Sequence, residues 1–120
     1  MSKQITSYRD LIAWQKSFDL GLIVHRLAGG FPDHERYGLV SQLRRGAISV
    51  ASNIAEGYGR GTREDYLRFL RIARGAMFEI DTQLRFALAL EYMIEDVYKT
   101  TIAALEEASR VLAGLIRSLE

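Results

Sequence analysis

Apolar residues recur at steps of three and four along almost the whole chain, and the pattern stops at only three places. That period belongs to the α-helix, and no stretch shows the two-residue alternation of a strand. Gly29-Gly30 before Phe31-Pro32 makes the first stop, Gly57, Gly59 and Gly61 the second, and the stretch after Tyr92 the third. The spacing therefore predicts four helices, over Tyr8 to Ala28, Asp33 to Gly57, Thr62 to Tyr92, and Glu95 to Leu119. Short breaks between long helices favour antiparallel neighbours, hence an all-α, up-down-up-down antiparallel four-helix bundle over residues 8–120 behind a flexible N-terminus of residues 1–7.

Each helix declares a core face and a start. Leu11, Phe18 and Leu22 mark the first face; Val40, Leu43, Ala47, Val50 and Ile54 mark the second, with Asp33 as its N-cap. Thr62 ahead of Glu64 and Asp65 is a hydroxyl cap followed by acids that suit the helix dipole. The third seam is Tyr66, Leu70, Ala73, Met77, Ile80, Leu84 and Ala87; the fourth is Tyr98, Thr101, Leu105, Ala108, Leu112, Leu115 and Leu119.

These seams leave a surplus. Trp14, Leu20, Val24, Leu27, Ile48, Phe69, Ile72 and Phe86 fall outside them. Either the core stripes are wide, or copies of the chain cover one another, since monomers seldom expose large apolar patches. The second reading predicts a homo-oligomer, with Trp14, Leu20, Val24 and Phe69 at the contact.

Composition excludes several function classes. With 120 residues, 48% hydrophobic and 26% charged, the chain suits one folded domain. The N-terminus lacks the apolar core of a signal peptide and no run is long enough to span a membrane, so the expected compartment is the cytoplasm and no membrane partner is expected. Having no Cys, it can offer no thiolate to a metal and no thiol chemistry. Its two imidazoles, His25 and His34, stand on either side of the Gly-Gly-Phe-Pro break and share no helix face, so neither a metal nor another cofactor is expected. The run Gly57 to Gly61 resembles a phosphate loop only superficially, because it follows a helix and lacks the Lys-Ser or Lys-Thr ending. Glycines taking positive φ to turn the chain account for it. No Ser sits in a nucleophile elbow, and the chain is expected not to be an enzyme.

Two polar features remain. Gln42, Arg45, Ser49, Asn53 and Glu56 follow one another on one face of the second helix. An antiparallel turn centred near Arg60 sets Arg45 beside Gly75, and Gln42 beside Phe78 and Glu79. The stripe is either a solvated face or part of a buried ion network joining Arg45, Arg74, Glu56 and Glu79, with Arg45 filling the gap over Gly75. Separately, Arg44, Arg60, Arg63, Arg68 and Arg71 gather around the second turn and third helix, and guanidinium groups suit phosphate. At a net charge of +1, binding of RNA or DNA rests on this local cluster, beside which Tyr58 and Tyr66 are candidates for stacking on bases. The alternative is a scaffold whose arginines pair internally.

Leu11 through Lys16, Phe31-Pro32 with Glu35, Gln42 through Arg45, the run Ser49 through Arg60, Ile72 through Gly75 and Phe78-Glu79 together resemble a bacterial four-helix-bundle family named for proteins encoded by intervening sequences in 23S ribosomal RNA genes. Ala51 stands where that family often has Pro, and Ala76 where it often has Ser. The resemblance implies a homopentameric ring. It also extends to the accessory subunit of diversity-generating retroelements, implying nucleic acid or a nucleic-acid-processing protein as partner.

Overall fold

A computed structural model describes residues 4–120. Four helices, α1 (Ile12–Ala28), α2 (Leu39–Tyr58), α3 (Arg63–Ala89) and α4 (Glu95–Leu119), form an antiparallel bundle. α2 packs on α1 and α3, and α4 on α1 and α3, so sequential helices are neighbours and the last closes against the first. Its core is one apolar cluster running from Ala13 to Ile116. Of the N-terminal stretch 1–7, residues 1–3 lie outside the described residues. Thr6 and Ser7 donate backbone N–H groups to the Asp10 carboxylate at 3.0 and 3.1 Å, and Ser7 caps a short 3-10 turn, Tyr8–Asp10, ahead of α1.

The seams of α2 and α3 are buried as their spacing predicts, Tyr66 being half-buried, and Thr62 Oγ1 accepts from Asp65 N at 3.2 Å. α4 begins and ends where its periodicity does, but its last buried residue is Ile116, with Leu115 and Leu119 half-buried. α1 is turned about its axis relative to the sequence expectation. Its core face is Ala13, Ser17, Leu20, Val24 and Ala28, while Phe18 and Leu22 are 45% and 39% exposed. The cause is close approach to α2: a Cβ on Gly21 would lie 2.6 Å from Ala47 O. Small side chains bring the two helices together, and large ones are displaced outward.

α2 starts later than expected. Asp33–Glu35 form a 3-10 turn, and the helix begins at Leu39, whose N–H donates to Glu35 Oε1 at 3.2 Å. Asp33 is therefore not its cap; Glu35 supplies the acceptor. α3 stops at Ala89, short of Tyr92. Glu91 adopts φ +64°, and the N–H groups of Glu91 and Tyr92 bond Leu88 O and Ala87 O at 3.0 and 2.9 Å. That is the Schellman closure, with Glu in the left-handed position where glycine is usual.

Candidate nucleic-acid interface

Four of the five candidate arginines stand around the turn between α2 and α3, whose glycines have different jobs. Gly61 alone among them takes positive φ, +90°. Gly57 is buried because a Cβ there would sit 2.8 Å from Phe69 Cβ and 3.2 Å from Tyr66. Gly59 keeps helical angles and caps α2 through its N–H. The expectation that all three turn the chain by positive φ holds for Gly61 only, because close packing explains Gly57.

Around this turn stand four exposed guanidinium groups. Arg60 meets Glu56 at 3.4 Å and Arg68 meets Asp65 at 3.6 Å, and both lie over the Phe69 ring, 5.1 and 4.6 Å from its centre. Such contacts combine charge pairing with attraction to the ring's electron-rich face. Arg71 Nη2 donates to Glu120 Oε2 at 3.0 Å. Arg63 donates from Nε to Leu119 O and from Nη2 to Glu120 O, the latter at 2.7 Å, tying the α3 start to the α4 end. Tyr58 and Tyr66 meet edge to face at 6.1 Å. Burial, then the neighbouring Tyr58, raises the Tyr66 hydroxyl above its ordinary pKa, and Tyr66 Oη is buried with no hydrogen-bond partner in the structure. Tyr66 thus serves the core rather than offering a free stacking face.

Arg44 does not belong to this cluster. It lies sixteen positions before Arg60, about 24 Å along the helix at about 1.5 Å per residue, and its Nε donates to His25 O at 3.2 Å near the end of α1. There it neutralises a helix C-terminus.

The polar stripe is likewise corrected. Gln42, Arg45 and Ser49 line one groove with Gly75 and Glu79, about 420 Å³, as the antiparallel register predicts. Yet Arg45, Glu56, Arg74 and Glu79 are exposed, and no ion pair joins them among the described residues. Gln42 Oε1 accepts from Gln83 Nε2 at 3.2 Å, and Asn53 Nδ2 donates to Ser49 O at 2.8 Å. The stripe lies outward of the Val40–Ile54 seam, so water reaches the charges. Arg45 does not fill the gap over Gly75 either, because nothing lies within 4 Å of where a Cβ would stand.

Of the expected contact residues, Leu20 and Val24 are wholly inside the subunit, 1% and 0% exposed, and are corrected to core. Trp14 is half-buried, stacked on Phe18 at 5.0 Å and edge-on to Tyr8 at 5.3 Å. Phe69 is half-buried beneath its arginines. The apolar surplus itself persists: Ile48, Ile72 and Phe86, already counted in it, are exposed, and Phe18, Leu22 and Phe78 join them. Among the described residues no group of three or more His, Asp or Glu side chains is placed to hold a metal ion. No helix there is long and apolar enough to cross a membrane.

One polar cluster escaped the sequence reading. Tyr92 Oη donates to Glu35 Oε2 at 2.7 Å and lies 3.1 Å from His34 Nε2, with its ring 5.6 Å from that of Phe31. The hydrogen bond from Tyr92, then that from Leu39 N, holds the Glu35 carboxyl below its usual range against a smaller opposing effect of burial; bonding to Glu35 raises the Tyr92 hydroxyl. A Glu four residues before an apolar helix start was the available signal.

The profile of the 23S rRNA-intervening sequence protein family matches residues 9–114. The chain belongs to that family. A crystal structure of a protein of unknown function from the S23 ribosomal protein family of Bacteroides thetaiotaomicron superposes on this intervening-sequence protein with a TM-score of 0.82 at 20% identity, covering 88% of this chain and 96% of the other. At that identity the likeness speaks for the shared bundle. No curated protein matches significantly.

Proposed function

We propose that this intervening-sequence family protein is the subunit of a non-enzymatic homo-oligomeric binding module. In this reading it works in the cytoplasm as a homopentameric ring and contacts the backbone of RNA or DNA, or a nucleic-acid-processing protein, through Arg60, Arg63, Arg68 and Arg71. The supporting observation is the convergence of these four exposed guanidinium groups at one end of the bundle. Exposed ion pairs such as Arg71 with Glu120 are worth about 0–1 kcal/mol, so a phosphate can replace the carboxylate at little cost. The ring stoichiometry is what the family resemblance implies, and the apolar surface left on α1, α2 and α3 supports association.

A salt titration with single-stranded RNA and DNA tests the reading. Affinity should fall as salt rises, and Arg60→Gln or Arg68→Gln should each reduce the slope by about one. Absence of binding at low salt, or affinity indifferent to salt, would remove nucleic acid from it.

A second reading, a scaffold with internally paired arginines, is favoured by the bonds from Arg63 to the α4 carbonyls. It predicts that Arg63→Gln lowers thermal stability of the subunit and leaves any nucleic-acid affinity unchanged.

A further inference from the structure

Gly75 sits in the interior of a 27-residue helix, where glycine is among the poorest helix formers. Nothing in the subunit explains it: φ is ordinary, and no atom lies within 4 Å of the Cβ it lacks. One turn on, Phe78 is 65% exposed. A gap and a projecting ring therefore stand side by side on α3, along its open groove with α2. Across α2, the groove between α1 and α2 shows the opposite relief. Its volume is about 310 Å³, its floor includes Gly21, Ala47 and Ala51, and its rim includes Phe18, Leu22 and Ile48. The two faces belong to different sides of one subunit, so each can be covered only by another molecule.

Charge agrees with relief. Glu56 follows Ala55 of the groove wall on α2, while Arg74 and Glu79 bracket Phe78 on α3. Arg45, Arg74 and Glu79 have no ion-pair partner in the described chain, and Glu56 has only the 3.4 Å contact with Arg60. If α3 of one copy lies antiparallel to α2 of another, Arg74 faces the Glu56 end of the groove.

We propose that the α3 face around Gly75 and Phe78 docks into the α1–α2 groove of a second copy of this chain, with Phe78 entering the groove and Phe18 and Leu22 covering Gly75. The contact joins two different surfaces, so repeating it builds a ring when the rotation closes. This rests on the homo-oligomer reading above and supplies its contact surfaces. It also gives Arg74 and Glu56, two members of the ion network expected from the sequence, a place between subunits.

The experiment compares wild type with Gly75→Leu, Phe78→Ser, Arg74→Glu, and Arg74→Glu combined with Glu56→Arg, using sedimentation across a concentration series with thermal melts of each variant. Gly75→Leu fills the gap without touching the subunit core, so its helix content should hold while the subunit dissociation constant rises roughly 30-fold or more, as for loss of an interface hot spot. Phe78→Ser should act alike. Arg74→Glu should weaken assembly, and adding Glu56→Arg should restore it. An assembled wild type whose Gly75→Leu and Phe78→Ser variants assemble equally well would overturn this interface and leave oligomerisation standing. Failure of Glu56→Arg to restore assembly would overturn the stated register. A wild type that stays single at micromolar concentration would remove both readings.

Discussion

Tyr92 Oη donates to Glu35 Oε2 at 2.7 Å, and the other oxygen of the same carboxylate receives Leu39 N at 3.2 Å. One side chain thus caps α2 and fastens the α3–α4 turn to the α1–α2 turn. Because Glu35 has a lowered pKa in the fold, its contribution is present above the unfolded value near about 4.3 and is lost as pH falls through the lower folded value. The raised Tyr92 pKa acts at the other end: its contribution is present below about 10 and lost as pH rises through the folded value. Tyr92→Phe should therefore lower the melting temperature at neutral pH and flatten the alkaline limb of a plot of melting temperature against pH. Equal loss at every pH would contradict the assignment.

Glu91 carries φ +64° where the Schellman turn favours glycine. A non-glycine residue in that region costs roughly 1–2 kcal/mol, and glycine returns about 0.4–1 kcal/mol of this as unfolded-chain entropy. Glu91→Gly should raise unfolding free energy by about 0.5–1 kcal/mol, measured by urea titration.

The orientation of α1 can be read from two leucines. Leu20→Ala removes a side chain that is 1% exposed and should cost about 2–5 kcal/mol. Leu22→Ala, on the outer face, should cost under about 1 kcal/mol within the subunit. Comparable losses measured on dissociated subunits would restore the phase that Leu11, Phe18 and Leu22 suggest.

Gly61 and Gly59 differ in the sign of φ. At φ +90°, Gly61→Ala should destabilise by about 1–3 kcal/mol. Gly59→Ala, at φ −82° with its nearest neighbours 3.7 Å from the added Cβ, should be neutral or stabilising by up to about 1 kcal/mol. Chemical denaturation of the two variants should give opposite signs or a clear gap.

The sequence by itself determined the number of helices, the seams of α2 and α3, the Thr62 cap and the span of α4, because helical period and capping act within a few residues of one another. It also placed Arg60, Arg63, Arg68 and Arg71 around one turn, since their neighbourhood is local. Only tertiary structure decided which face of α1 turns inward, because the marks of that face, Ala13, Ser17, Gly21 and Ala28, are small and carry little hydrophobic signal. It alone separated Arg44 from the other arginines and joined Glu35 to Tyr92, whose spacing along the chain has no period. Distances between helices depend on which side chains are small enough to let backbones approach, and that is a property of pairs of surfaces rather than of any one segment.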